Sequence, residues 1–165
     1  MKYSWLAVLP VLLISVLPAS TAQAKTASDP NDLSWNIDFR SVSLTKPSNG
    51  KLAWTFTSWD TFTGTDMLGG ANPTLNLDTK SGNAVDYKVL MGWNPTQHYY
   101  CELKRAGAGG TLAQGTAKTP NGKTARCVFP SKRISRTKPI HWRALISVTG
   151  VGRDVAPNSG WAIGT

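Results

Sequence analysis

The chemistry open to this 165-residue chain rests on few groups: two cysteines, two histidines, nine carboxylates and a basic excess of +9. Cys101 and Cys127 are an even pair, with no Cys-x-x-Cys motif and no histidine placed as an evident partner. They read as one disulfide, which would close a loop of about 26 residues and add on the order of 3 kcal/mol. A serine hydrolase needs a base and an orienting acid, and its best local signal, a Gly-x-Ser-x-Gly elbow, is absent. Zinc sites show closely spaced His and Cys ligands, whereas His98 and His141 lie far apart in the chain. A glycosidase needs two facing carboxylates; Glu102 is the single glutamate, and nothing points to a partner. The expectation is a protein without catalysis. An enzyme of unrecognised mechanism and a purely structural domain are the alternatives.

Calcium takes six to eight oxygens, usually several from carboxylates of one loop. The candidates are Asp60 and Asp66 with Thr61, Thr63 and Thr65 between them, then Asp29, Asp32 and Asp78. EF-hand spacing is missing, and aspartates in turns commonly accept backbone N–H bonds. Turn formation without a cofactor is therefore expected, with calcium as the alternative. For sugar stacking the exposed phase of the strands offers Trp59, with Phe62 beside it, and Tyr100 flanked by Glu102; packing under the 60–73 loop is the competing fate of Trp59. From Lys25 to Tyr100 there are 6 basic and 7 acidic residues, and from Cys101 to Thr165 there are 11 basic and 2 acidic. The C-terminal clusters are Lys104-Arg105 and Lys132, Arg133, Arg136 and Lys138. Such a surface attracts anionic polymers. No nucleic-acid motif is present; solvated cations guarding a sheet edge are the plain reading, and anionic envelope polymers or lipid headgroups are the partners such a surface would take.

The elements that must hold these groups read as strands. Residues 1–24 carry Lys2, an apolar stretch from Leu6 to Leu17 and Ala22-Gln23-Ala24, the parts of a cleaved signal peptide. The stretch is shorter than the ~20 residues needed to span a bilayer. Residues 25–165 then form a single secreted domain with no later apolar stretch of membrane length, expected to be a monomer. Trp35, Ile37 and Phe39 alternate with Asn36, Asp38 and Arg40, the period of a half-buried strand. The phase slips to Val42 and Leu44, which predicts a bulge near Arg40–Ser41. Ser48-Asn49-Gly50-Lys51 is a hairpin signal, and Leu52, Trp54 and Phe56 follow on one face. Leu75 and Leu77, then Tyr87, Val89, Met91 and Trp93, then Tyr99, Cys101 and Leu103 mark further inner faces. Ala125, Cys127 and Phe129 form another, and Ile140, Trp142, Ala144, Ile146 and Val148 the last. Trp35, Trp54 and Trp142 are expected inside. The fold class is all-β, an antiparallel β-sandwich of jelly-roll or immunoglobulin type with about eight strands. Next-nearest strands of one sheet stand about 9.6 Å apart, beyond the reach of a disulfide. The cysteine strands are therefore expected as direct neighbours or facing across the core, with 106–123 looped out.

The order of motifs adds a resemblance. Asp29-Pro-Asn-Asp32 ahead of Ile37-Asp38, then Leu77-Asp78-Thr79, Asp86-Tyr87-Lys88-Val89 and Asp154-Val-Ala-Pro-Asn158 with Gly160-Trp161, together resemble secreted bacterial β-sandwich modules. Those modules are similar in layout to extracellular carbohydrate-binding domains. Lys80 departs from the pattern, standing in a turn where the resemblance implies carboxylates. What the resemblance implies is an extracellular binding or surface-associated module whose ligand is a glycan or an anionic envelope polymer.

Overall fold

The computed structural model describes residues 25–47, 50–80, 82–96, 98–119, 121–134 and 139–164. The expected signal peptide, Ser48-Asn49 of the first hairpin turn, and Arg136 and Lys138 lie outside the described residues. Eleven strands are found among them: β1 Lys25–Ser28, β2 Phe39–Thr45, β3 Lys51–Ser58, β4 Thr74–Asp78, β5 Tyr87–Asn94, β6 His98–Arg105, β7 Thr111–Lys118, β8 Thr124–Pro130, β9 His141–Val148, β10 Gly152–Ala156 and β11 Ala162–Ile163. Short 3-10 turns occupy Gly64–Met67 and Ser131–Arg133. No helix among the described residues is long and apolar enough to cross a membrane.

Every pairing is antiparallel, and the strands follow the order β1-β2-β3-β8-β7-β6-β5-β4-β9-β10, with β11 also on β9. This all-β arrangement carries one disulfide, as expected, but it is a nearly closed, barrel-like sheet. The expected two-sheet sandwich of about eight strands is thereby corrected, and so is the strand count. β1, β10 and β11 have two to five residues each, too few for an alternating pattern to announce them.

Alternation placed the long strands correctly because each buries one face. Leu52, Trp54 and Phe56 of β3, Val89 and Met91 of β5, Ala125, Cys127 and Phe129 of β8, and Trp142, Ala144 and Ile146 of β9 all lie in the core. The register between β2 and β3 slips between Phe39 and Ser41, at the expected bulge. Upstream the pattern misleads. The strand starts only at Phe39, so Asp38 is buried rather than outward, and Trp35 is only partly buried against the core.

The largest correction is β7. Residues 111–118 do not loop out; they form a strand between β6 and β8, with Cys101 opposite Gly115 and Cys127 opposite Ala117. The disulfide nevertheless forms, with Cα atoms 6.0 Å apart. A flat sheet would hold such next-nearest positions about 9.6 Å apart, so the sheet folds sharply at β7. Its first half pairs with β6 and its second half with β8. A Cβ on Gly115 would overlap the Cys101 sulfur; glycine lets the bridge pass over the corner strand. We call β1, β2, β3, β8 and the end of β7 the first wall, and the remaining strands the second wall.

Among the described residues the path does not close by a backbone ladder. Where β2 approaches β10, the Phe39 N–H instead donates to Asp154 Oδ2 at 2.7 Å. At this seam a side-chain carboxylate takes the place of a ladder carbonyl.

Candidate functional site

Four carboxylates converge on that seam. Asp29 follows β1, Asp32 lies in the next loop, Asp38 precedes β2 and Asp154 belongs to β10. One oxygen from each lies within 4.8 Å of the others, and this is the one such group of acidic, His or Cys side chains found among the described residues. Asp29, Asp38 and Asp154 are only 5%, 0% and 2% exposed, while Asp32 is open to solvent. Backbone amides fix the orientation: Leu33 N–H donates to Asp38 Oδ2 at 3.3 Å, and Phe39 N–H to Asp154 Oδ2. The opposite oxygens, Asp38 Oδ1 and Asp154 Oδ1, are buried and meet no N–H or hydroxyl donor, as are both oxygens of Asp29; what they meet is one another, with Asp154 within hydrogen-bond reach of Asp29 and Asp38. Burial, then the neighbouring Asp154 carboxyl, pushes Asp29 well above the usual carboxylate range, to about 8. Burial also raises Asp38 to about 6, against the downward pull of the Leu33 N–H. Two full charges at 4.8 Å repel by roughly 3.5 kcal/mol at an effective dielectric of about 20. Asp32 also lines an open cleft of about 400 Å³ formed by the 31–36 loop and Asp60.

Of the other acidic candidates, Asp60 lines that cleft, and Asp66 and Asp78 form turns. Asp66 Oδ2 accepts from Thr63 N–H at 2.7 Å and caps the Gly64–Met67 turn, while its Oδ1 accepts from Asn36 Nδ2 at 3.0 Å. Asp78 accepts from the Lys80 and Asn83 amides, and Lys80 pairs with Asp86 at 3.2 Å. His141 Nδ1 stands 3.8 Å from Asp78, and His98 lies opposite Asn94 in another hairpin; the two histidines share no strand pair.

A basic groove lies on the outer face of the first wall. It holds about 260 Å³ and is lined by Pro47, Lys51, Thr116, Lys118, Arg126 and Val128. Lys118 sits directly opposite Arg126 in the ladder. Both are exposed, as is Lys51, and the ion pairs found among the described residues involve none of the three. Lys132 and Arg133 extend this end of the surface: Lys51 pairs with Pro130, and Ser131 of the following turn binds the Gly50 carbonyl through its N–H and its hydroxyl. Lys104, by contrast, is held by Glu102 at 2.8 Å, and that ammonium is the main influence lowering the Glu102 carboxyl below its usual value. Sequence reasoning named Lys132 and Arg133 but missed Lys51, Lys118 and Arg126. They are scattered in the chain, and the small residues of β7 read as a loop.

The aromatic candidates separate. Phe62 is in the core at 3% exposure, its ring 5.6 Å from that of Phe56, so it cannot share a surface platform with Trp59. The reason is the 60–73 loop, which turns the Phe62 side chain inward while Phe62 N–H binds the Gly122 carbonyl. Trp59 stays half-buried at the surface. Its Nε1 donates to the Asp29 carbonyl at 3.2 Å, and the Arg40 guanidinium lies 5.1 Å above its ring. Tyr100 lies across Gly92, its ladder partner, where a Cβ would overlap the tyrosine ring. There it lines a groove of about 350 Å³ with Trp93, Asn94, Pro95, Glu102 and Gln114. Comparison of the chain with protein-family models, curated proteins and solved structures finds no match.

Proposed function

We propose that the chain is a secreted, non-catalytic module that binds an anionic extracellular polymer on the outer face of the first wall. The observation carrying this reading is the Lys118–Arg126 ladder pair with Lys51 beside it. Like charges directly opposite one another destabilise a sheet, and no carboxylate among the described residues neutralises these. Edge protection does not account for them, because β8 lies between β3 and β7 in the interior of the strand order. A bound polyanion would remove the repulsion, and Lys132 and Arg133 would lengthen its track. The disulfide and the signal-like start support an oxidising destination.

The test is calorimetric titration with poly(glycerol phosphate), a polyuronate and neutral dextran at several salt concentrations. The reading expects binding of the anionic polymers only. It also expects that Lys118→Ser/Arg126→Ser reduces the slope of log K against log salt by roughly 1.4, the counterion-release value for two cations on a single-stranded polyanion. Equal binding of dextran, or an unchanged slope in the folded double variant, would refute it. A second reading, a neutral glycan held at Tyr100, is favoured by the position of that side chain across Gly92, in a groove it shares with Asn94 and Gln114. It expects dextran or another neutral oligosaccharide to bind and Tyr100→Ala to abolish that binding.

A further inference from the structure

We propose that Asp29, Asp32, Asp38 and Asp154 bind one calcium ion, which staples the two walls of the barrel together at the seam. The claim is independent of the polymer groove, which lies on other residues.

The donor set is all oxygen, with no sulfur or imidazole, and so selects a hard cation. Calcium oxygen distances of about 2.3–2.6 Å place opposite ligands about 4.6–5.2 Å apart. The four donor atoms already lie within 4.8 Å of one another, so the ion can be enclosed without rebuilding the site. Magnesium retains several waters and is seldom held by a cage made wholly of protein side chains, which leaves calcium as the better match to four converging carboxylates.

A cluster of acids alone would not point to an ion. Here burial and anchoring add to the acidity. Two of the carboxylates are clamped by peptide N–H groups on one oxygen, and the other oxygen is left buried without an N–H or hydroxyl donor. Asp29 is 95% buried, as its 5% exposure states, with neither oxygen meeting such a donor. Buried polar atoms are almost always satisfied, and a metal ion satisfies all four of these at once. Buried atoms without a partner occur elsewhere only singly, at Trp54, Asn76, Trp142 and Arg143 among the described residues, whereas four lie together here. Asp66, Asp78, Asp86 and Glu102 all have their carboxylates engaged by N–H or hydroxyl donors.

Coordination can be counted. Asp29 in bidentate mode and one oxygen each from Asp32, Asp38 and Asp154 make five ligands, and water entering beside the exposed Asp32 completes the six to eight that calcium takes. Because Asp29 and Asp38 flank the first wall's opening strands and Asp154 lies on β10 of the second, the ion would bridge the junction that the backbone ladder leaves open among the described residues. The competing occupant is protons shared among the carboxyls.

The experiment is calorimetric titration of the chelator-stripped full chain with calcium chloride, alongside terbium luminescence excited through tryptophan. Trp59 is suited to that role, since its indole N–H is bonded to the Asp29 carbonyl. One saturable calcium per chain is expected, with terbium emission that calcium displaces. Asp32→Asn, at an exposed position that should leave folding intact, is expected to weaken calcium affinity at least about tenfold. Asp38→Asn tests a buried ligand and is expected to abolish binding. No saturation up to about 10 mM, ten times the weak limit of extracellular calcium modules, would overturn the proposal in favour of shared protons. Wild-type affinity in a folded Asp32→Asn variant would overturn it equally.

Discussion

Alanine at position 115 should damage a strand that ought otherwise to welcome it. Gly115 has no left-handed backbone to protect, so the substitution is conformationally allowed, and replacing glycine there should by itself return about 0.4–1 kcal/mol through the unfolded chain. The new methyl, however, would overlap the Cys101 sulfur and lie 2.7 Å from the Val128 carbonyl oxygen. Ordinary contact begins near 3.4 Å, so the carbonyl must retreat by about 0.7 Å, and the bridge by more, in an interior packed like a crystal. Overpacking of this kind costs about 1–3 kcal/mol. The net expectation is a loss of about 1–2 kcal/mol, which lowers Tm by about 3–6 °C for a domain of this size. Calorimetry on Gly115→Ala measures it, and thiol titration reports whether the bridge still closes. Repeating the substitution in a Cys101→Ala/Cys127→Ala background removes the sulfur, and the cost should then shrink by at least about 0.5 kcal/mol, the usual coupling of touching residues. An unchanged Tm, or an identical cost in both backgrounds, would refute the corner-strand explanation of the disulfide.

Three further outcomes follow from other parts of the molecule. Arg126→Glu puts a carboxylate opposite Lys118 and should raise stability by about 0.2–1 kcal/mol while lowering retention on poly(glycerol phosphate); thermal melting and a binding column read the two effects, and retained binding would count against the groove. Phe62→Ala should lose about 3–5 kcal/mol in urea unfolding, as a core phenylalanine does; a loss below about 0.5 kcal/mol would fit a surface residue instead. Calcium at about 100 times its dissociation constant should stabilise the chelator-stripped protein by about 2.7 kcal/mol, visible as a higher Tm that Asp38→Asn eliminates; a Tm indifferent to calcium would contradict the seam site.

What the sequence made legible was whatever local alternation controls. The long strands β3, β5, β8 and β9 bury one face each, so the period of two located them and their core residues. The bulge after Phe39 was readable for the same reason, as a slip of phase. β7 was not readable, because Ala113, Gly115 and Ala117 are small where it passes beneath the disulfide, and small residues with glycine resemble a loop. Asp38 was assigned outward by extending the alternation of β2 backward past the point where the strand begins. The seam depends on Asp154, far along the chain from Asp29 and Asp38, and no local pattern carries that contact. The signal was nonetheless present in another form. The short Asp29–Asp32, Ile37-Asp38 and Asp154–Asn158 motifs, of which Asp29 and Asp32 are also calcium candidates by residue type, supply all four of the converging carboxylates. The groove was hidden differently: the basic excess of the C-terminal half was plain, but only the strand register brings Lys118, Arg126 and the distant Lys51 to one face.

The most direct test of the polymer-binding account is a map of the contact surface by amide chemical shifts, recorded while poly(glycerol phosphate) is added to the isotopically labelled protein. The account predicts perturbations centred on Lys51, Thr116, Lys118, Arg126 and Val128 and continuing to Lys132 and Arg133, all reversed by high salt. Shifts centred on Tyr100 and Gln114, or spread evenly over the surface, would contradict it.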